Sequence, residues 1–341
     1  MTPPGPASLR DRAHDLGPYL TKMLGGDASV SHIALASEGM SATTLLVDLA
    51  DGRQIVLRGR GAVKTSAYDM EPDEVQFHVL RAVEQTRVPA PPALFYEPDP
   101  GVLGVPFLAT GRLPGSAVMP WSRAGRAFLT EVGGGPAGEQ LLDILVAIHS
   151  VPVEHNDLAH VFGPPPASVS VAVTRLRETI EKNAVGPEPI LTDALGWLAA
   201  NLPDCPDPAL VHGDFRAGNL LFEANRISGI LDWEFAHLGD PTRDLAWLMA
   251  KSNRTSDDLA CDMIPTAEVL ERYRKAGGRE IEPGAIAFWD VFMLVEMVGI
   301  WLGSTATWRA GELHDVRVAR WTYTLPTLRL MVLDALEGVA R

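Results

Sequence analysis

A loop between two apolar segments carries the densest chemistry in this chain. Ala209-Leu210-Val211 and Leu220-Leu221-Phe222 bracket His212-Gly213-Asp214-Phe215-Arg216-Ala217-Gly218-Asn219, which sets an Asp five positions before an Asn. A further apolar run, Ile227 to Leu231, then delivers Asp232 and Glu234. Polar residues at the ends of apolar strands are expected to converge on one cleft. A lone Asp in such a loop is ordinarily a turn or a helix cap. Asp, Asn and Asp recurring at this spacing match instead what phosphoryl transfer requires. That reaction asks a protein mainly for positioning and charge neutralisation: one carboxylate orients the attacking hydroxyl, while an amide and a second carboxylate hold Mg2+ against the phosphates. On this reading Asp214 is the base, Asn219 and Asp232 are metal ligands, and Glu234 lies near a second ion. Arg216, two residues after the base, would neutralise the γ-phosphate.

These residues need a frame. Residues 1 to about 30 suggest one amphipathic helix over Leu9 to Leu24, ended by Gly25-Gly26. Thr43 to Leu49 and Gln54 to Leu57 flank Asp51-Gly52, a strong hairpin signal. Asp73 to Glu84 reads as a helix with Phe77, Leu80 and Val83 on one face, stopped by Val88-Pro89-Ala90-Pro91-Pro92. Ala93 to Tyr96 and Pro106 to Leu113 look like two more strands. Beyond Pro114-Gly115 the pattern turns helical, with Gly138 to Val151 apolar nearly all round, as a central helix is. Further helices are expected at 171–183, 190–201, 266–276, 285–303 and 324–336. The expectation is an α+β fold in two unequal lobes: 1–113 with a small antiparallel sheet, and 114–341 largely helical with the catalytic loop.

Bulk composition narrows the partners. With 29 Lys and Arg against 43 Asp and Glu, the net charge is −14. A nucleic-acid partner is therefore not expected, since binding one needs a basic footprint. A nucleotide held through a metal remains compatible, because the cation brings its own charge. Gly and Pro number 31 and 27, well above ordinary usage, so many turns are expected. Two cysteines, Cys205 and Cys261, without C-x-x-C spacing suggest neither a disulfide scaffold nor a Cys-based zinc site. Met1 to Asp15 lacks the apolar core of a signal peptide. The run Phe288 to Gly303 is interrupted by Asp290 and Glu296 and reads as a buried helix rather than a membrane span. A cytoplasmic protein without a membrane partner is expected. Gly133-Gly134-Gly135-Pro136-Ala137-Gly138 formally fits G-x-G-x-x-G, but only a weak strand candidate, Arg126 to Val132, precedes it, and loop chemistry stands where an acidic strand end is required. It is expected to be a linker and helix start.

The segments His-Gly-Asp-Phe-Arg-Ala-Gly-Asn-Leu-Leu (212–221) and Ile-Leu-Asp-Trp-Glu-Phe-Ala-His-Leu-Gly-Asp-Pro-Thr-Arg-Asp-Leu-Ala-Trp-Leu (230–248) resemble the aminoglycoside phosphotransferase and choline kinase family. The branch that includes kinase-like domains attached to some acyl-CoA dehydrogenases is the most similar. The resemblance is dense over 209–249 and collinear from about 30 to 150. It implies a protein-kinase-like fold, Mg2+ with ATP or GTP as cofactors, and a small hydroxylated acceptor. It also places a phosphate-covering loop at Ser37 to Thr43, with Gly39 its one glycine and Ser41 beside it. Arg58, in Val56-Leu57-Arg58, takes the position of the strand cation that grips the α/β-phosphates. Arg is always charged and bidentate, so it suits that task. The acidic partner expected on the next helix is replaced by Gln76, with Glu74 as the substitute. Thr110, Gly111, Arg112 and Leu113 match the hinge that meets the adenine. His149 is expected to make a core hydrogen bond near the catalytic loop, and Asp240 and Asp244 match the downstream acidic pair, Asp244 tying that loop to the next helix. Asp290 and Glu296 are candidates for the acceptor site, because a buried carboxylate needs a partner.

Three functions compete on this basis: a small-molecule kinase, a nucleotide-binding pseudokinase motivated by the single loop glycine and Gln76, and a protein kinase. The last is disfavoured by His-Gly-Asp in place of His-Arg-Asp and by the short gap between Asp232 and Asp244.

Overall fold

The computed structural model of the chain describes residues 6–38, 42–59, 73–162, 169–205, 207–311 and 316–339. Gly39 and Ser41 lie outside these residues. The first helix expected at the N-terminus is two, α1 (Pro6–His14) and α2 (Gly17–Leu24). Pro18 causes the break: it has no N–H to give, and its ring would clash with the preceding turn, so it can only begin a helix.

Strands β1 (Val30–Glu38), β2 (Thr43–Leu49), β3 (Gln54–Gly59), β4 (Ala93–Glu97) and β5 (Phe107–Gly111) form one antiparallel sheet in the order β1-β2-β3-β5-β4. Alternation along β2 and β3 buries Leu45, Val47, Leu49, Ile55 and Leu57 against Leu9, Ala13 and Leu20 of the two N-terminal helices and Leu16 between them. Helix α3 (Asp73–Val83) packs differently. Its Val75, Val79, Leu80 and Val83 join Leu108 in the same core as the helical part of the molecule. The sheet therefore has a small core of its own, and α3 belongs to the larger one.

A short helix α4 (Pro100–Leu103), capped by Asp99, lies between β4 and β5. After β5 come β6 (Ser116–Ala117), α5 (Arg123–Gly133), α6 (Pro136–His149), α7 (Asn156–Phe162), α8 (Ser170–Asn183) and α9 (Pro189–Ala200). The weak strand candidate at 126–132 is thus helix, started by Ser122, whose side chain accepts from Gly125 N–H. The glycine run joins α5 to α6 with no room for side chains: a Cβ on Gly138 would stand 1.9 Å from the Gly133 carbonyl oxygen. It is a tight helix junction and not a dinucleotide loop.

The region around Asp214 is built from short strands: β7 (Ala209–Val211), β8 (Leu220–Glu223), β9 (Arg226–Ile230) and β10 (His237–Gly239). β7 pairs with β10, and β8 lies between β6 and β9. Then follow α10 (Thr242–Met249), the hairpin of β11 (Leu259–Ala260) and β12 (Ile264–Pro265), α11 (Val269–Lys275), α12 (Pro283–Arg309) and α13 (Val316–Val339). α12 has 27 residues, longer than the apolar run suggests. By length and composition it could cross a membrane, yet it packs in a second core with α8, α9 and α13. The sheet-rich first part and helical remainder agree with the α+β, kinase-like expectation.

Candidate active site

Strand β7 is wholly buried and hands the chain to His212, Gly213 and Asp214. Gly213 sits at φ +81°, and a Cβ there would lie 2.4 Å from the Phe235 carbonyl oxygen, so the turn requires glycine. Asp244, in the first turn of α10, fixes this turn. Its Oδ2 accepts from His212 N–H at 2.8 Å and its Oδ1 from Gly213 N–H at 2.9 Å. Its Oδ2 also meets His149 Nε2 at 3.1 Å, and His149 Nδ1 meets the Tyr273 hydroxyl at 2.8 Å. Burial alone would raise the Asp244 pKa, but His149 and the loop amide outweigh it and hold the carboxyl below its ordinary value. Asp244 ties the loop to α10, and His149 makes the core hydrogen bond expected of it.

His212 is fully buried and neutral in character: Nδ1 accepts from Asp214 N–H at 3.2 Å, and Nε2–H donates to the Leu231 carbonyl at 3.1 Å. Burial, partly offset by Asp244 and Asp214, pushes its pKa down. The imidazole thus bridges the Asp214 loop to the segment that carries Asp232. The Leu231 amide, donating to Asn219 O at 2.9 Å, adds a second tie.

The Asp214 carboxylate is held by three donors. Oδ1 accepts from Arg216 Nε at 2.9 Å and from Trp247 Nε1 at 2.7 Å, and Oδ2 accepts from Asn219 Nδ2 at 2.6 Å. A carboxylate has about four acceptor positions, so capacity remains on Oδ2. Asn219 commits its Nδ2 to Asp214 twice, to the side chain and to the carbonyl. That leaves the amide oxygen as the group able to meet a cation. Arg216 stays charged: burial opposes its charge, but Asp214 and Asp232 more than compensate.

Asp232 follows β9 in the left-handed region, at φ 60°. Its side chain is 43% exposed, the most open carboxylate of the set. Arg58, on β3, bridges it to Glu234: Nη1 donates to Asp232 Oδ1 and Nη2 to Glu234 Oε2, both at 2.5 Å. Burial disfavours the guanidinium charge, yet these two acids raise its pKa above the ordinary value, with Asp73 adding to them. The partner expected from α3 is not Glu74. That side chain is exposed and lies with His78 and His160 on the other side of the helix. Asp73 and Gln76, one turn apart, are the buried polar residues of α3, and the Gln76 Nε2 has no partner among the described residues. One position on a helix turns a side chain by about 100°, which is why Asp73 and Glu74 part company.

At the hinge, Thr110 is buried on β5, and the amides of Gly111 and Arg112 are already donated to the carbonyls of Pro92 and Gln54. Leu113 lies against β9, where a Cβ on Gly229 would come within 2.6 Å of Leu113 Cδ1. The two acceptor candidates separate. Both Glu296 oxygens are engaged by Arg243 Nη2, at 2.7 and 2.9 Å, and the Arg243 guanidinium stacks against Trp289 and Phe292. Glu296 is therefore half of a structural ion pair between α10 and α12, contrary to the acceptor role expected of it. Asp290 makes no such pair among the described residues; burial raises its pKa, with Lys251 and Arg254 pulling the other way.

Trp247 touches the Asp214 loop without having stood out in the sequence, and the bridging role of His212 within that loop was likewise not foreseen. Trp247 is one turn beyond Asp244 on α10, so a helix anchored by Asp244 with an indole at i+3 is the signal that could have found it.

The sequence profile of the phosphotransferase enzyme family matches residues 32–289 of the chain. The chain is 30% identical over 234 residues to acyl-CoA dehydrogenase family member 10 of Mus musculus, a match covering 67% of this chain and 21% of that protein. It thus spans about a fifth of that relative's length. A candidate aminoglycoside phosphotransferase from Ralstonia eutropha JMP134 shares the fold with a TM-score of 0.74 at 19% identity, covering 96% of this chain and 98% of that one. A thermostable mutant of the aminoglycoside phosphotransferase APH(4)-Ia, solved with ADP and hygromycin B, does so with a TM-score of 0.62 at 16% identity, covering 93% and 98%.

Proposed function

The chain belongs to the phosphotransferase enzyme family, and from that premise we propose that it transfers the γ-phosphoryl group of ATP, with Mg2+, to a hydroxyl of a small molecule. The observation that carries this reading is the Asp214 carboxylate, held by Arg216, Trp247 and Asn219 with acceptor capacity left on Oδ2. Asp214 Oδ2 would orient the acceptor hydroxyl and take its proton as the oxygen attacks the γ-phosphorus and the bond to the β–γ bridging oxygen breaks, releasing ADP. Arg216 would turn its remaining N–H groups to the transferring phosphoryl group, and Arg58 to the other phosphates.

The donor set suits magnesium. Asn219 offers its amide oxygen and Asp232 an open carboxylate, both hard oxygen ligands. Glu234, near Arg58, would serve the same cluster. Bound there, the ion supplies charge neutralisation for the phosphate oxygens. On the sheet side, Leu113 would meet the adenine, since the Gly111 and Arg112 amides are spent. Thr110 is buried within β5 and would support the hinge from behind.

The acceptor class we favour is a hydroxylated metabolite, supported by the acyl-CoA dehydrogenase relative. Aminoglycosides are the natural comparison, given hygromycin B in the APH(4)-Ia complex. Asp290 is the remaining acidic candidate to contact such an acceptor. The decisive experiment incubates the chain with Mg-ATP and panels of hydroxylated acyl compounds, amino alcohols and aminoglycosides, following ADP and the phosphorylated product. Product formation abolished in Asp214→Asn supports the proposal. A second reading, nucleotide binding without transfer, draws on Arg58 being held by Asp232 and Glu234 rather than by Glu74 of α3. Tight Mg-ATP binding with no product across the panels would favour it.

A further inference from the structure

We propose that Glu74, His78 and His160 form a second metal site, for a divalent transition ion of the zinc type, outside the nucleotide cleft. One ligand atom from each lies within 4.8 Å of the others. Glu74 and His78 stand four residues apart on α3, hence on one face of it, and His160 reaches them from α7. The two imidazole rings are 5.0 Å apart between centroids. Atoms bound to one zinc ion at about 2.1 Å lie roughly 3.4 Å from one another in a tetrahedral site. The closure needed is within reach of rotamer changes, because Glu74 and His160 are exposed and His78 is half-buried.

A second observation points to a ligand-bearing arrangement. Asp157 Oδ1 lies 2.6 Å from His78 Nδ1, so Nδ1–H donates to the carboxylate and Nε2 carries the free lone pair. A carboxylate set behind an imidazole in this way fixes the tautomer and raises the basicity of the ligating nitrogen. Arg81 Nε at 3.5 Å also faces the Asp157 carboxylate, and the Asp157 amide donates to His155 Nδ1 at 3.3 Å, which keeps the residue in place. Two nitrogens and one carboxylate form a donor set that selects zinc, cobalt or nickel over magnesium. The cluster therefore differs in kind from the oxygen-only set of Asn219 and Asp232. An ion there would clamp α3 to α7, and so hold the helix whose buried face carries Asp73 and Gln76. The site stands independently of the phosphotransfer proposal.

The test is calorimetric titration of the full chain with ZnCl2 in saturating Mg2+ and without nucleotide. One zinc ion per chain is expected. His160→Gln should weaken binding at least tenfold. Asp157→Asn should weaken it by about 10- to 100-fold through loss of the support behind His78. Glu74→Gln, on an exposed side chain that leaves the core untouched, provides a variant that folds as the parent does; circular dichroism checks this. With Co2+ in place of Zn2+, visible absorption of a nitrogen-ligated ion should appear in the parent and fade in His160→Gln. Equal zinc affinity in the parent, His160→Gln and Glu74→Gln would place the ion elsewhere and overturn the proposal, as would failure of the parent to bind zinc.

Discussion

Asp214 receives N–H bonds from residues two, five and 33 positions away, and sequence reading could find only the near ones. Asp214, Arg216 and Asn219 share one loop, so their spacing displays their geometry directly. Trp247 arrives through the fold, on α10. Glu74 shows the opposite failure: its residue type suited a cation partner, but one step along α3 points it towards His78 and His160. Asp214→Asn should lower phosphoryl transfer by about 10²- to 10⁴-fold while leaving nucleotide affinity near that of the parent. Steady-state rates at saturating Mg-ATP, with a fluorescent nucleotide for affinity, check this. Trp247→Phe removes one charge-assisted donor, a bond of about 1.5–3 kcal/mol. Turnover should fall at least roughly tenfold with the KM for ATP unchanged.

At the scale of elements, the turn between β7 and the Asp214 loop depends on one residue of α10. Asp244 satisfies two loop amides and His149 together. Asp244→Asn keeps the shape but sets an NH2 group against N–H donors. Unfolding in urea should show a loss of about 3–5 kcal/mol, the usual cost of breaking a buried charged network. Gly213→Ala should also unfold readily, because φ +81° and the Phe235 carbonyl both exclude a Cβ. Most elements were legible: the hairpin by Asp51-Gly52, α3 by its apolar spacing and the proline run behind it, α6 by its continuous apolar surface. The break between α1 and α2 was hidden because the amphipathic pattern continues through Pro18. The segment 126–132 has apolar residues at too few positions to settle its period, and Ser122 as a cap decided it. The full length of α12 was obscured because its last turns are polar.

For the whole molecule, acidity was legible as a sum but not as an arrangement. The site uses negative charge in a few coupled places, Asp214, Asp232, Glu234 and Asp244, and each has a positive or N–H partner. Titration extends beyond the carboxylates. His237, between Phe235 and α10, has its pKa lowered to about 4 from 6.5, chiefly by burial and then by Arg243. The folded state therefore prefers the neutral ring. Its contribution to stability is complete above pH 6.5 and is lost as pH falls towards 4. The upper bound is about 3 kcal/mol, reduced by partial exposure of the side chain. His237→Asn keeps an N–H near the Phe235 carbonyl and removes the titration. Its stability curve, from urea unfolding at stepped pH, should be flatter than the parent's across that window.

On the proposed phosphotransfer reading, the bridge from Arg58 to Asp232 and Glu234 would make nucleotide capture a swap of counterions. Phosphate oxygens would replace two carboxylates on one guanidinium, while those carboxylates would turn to a divalent ion. Added salt weakens the contacts being given up as well as those being formed. Mg-ATP affinity should thus fall less steeply with ionic strength than it would at a free arginine. Glu234→Gln, by loosening the resident pair, should steepen that dependence in titrations at stepped salt.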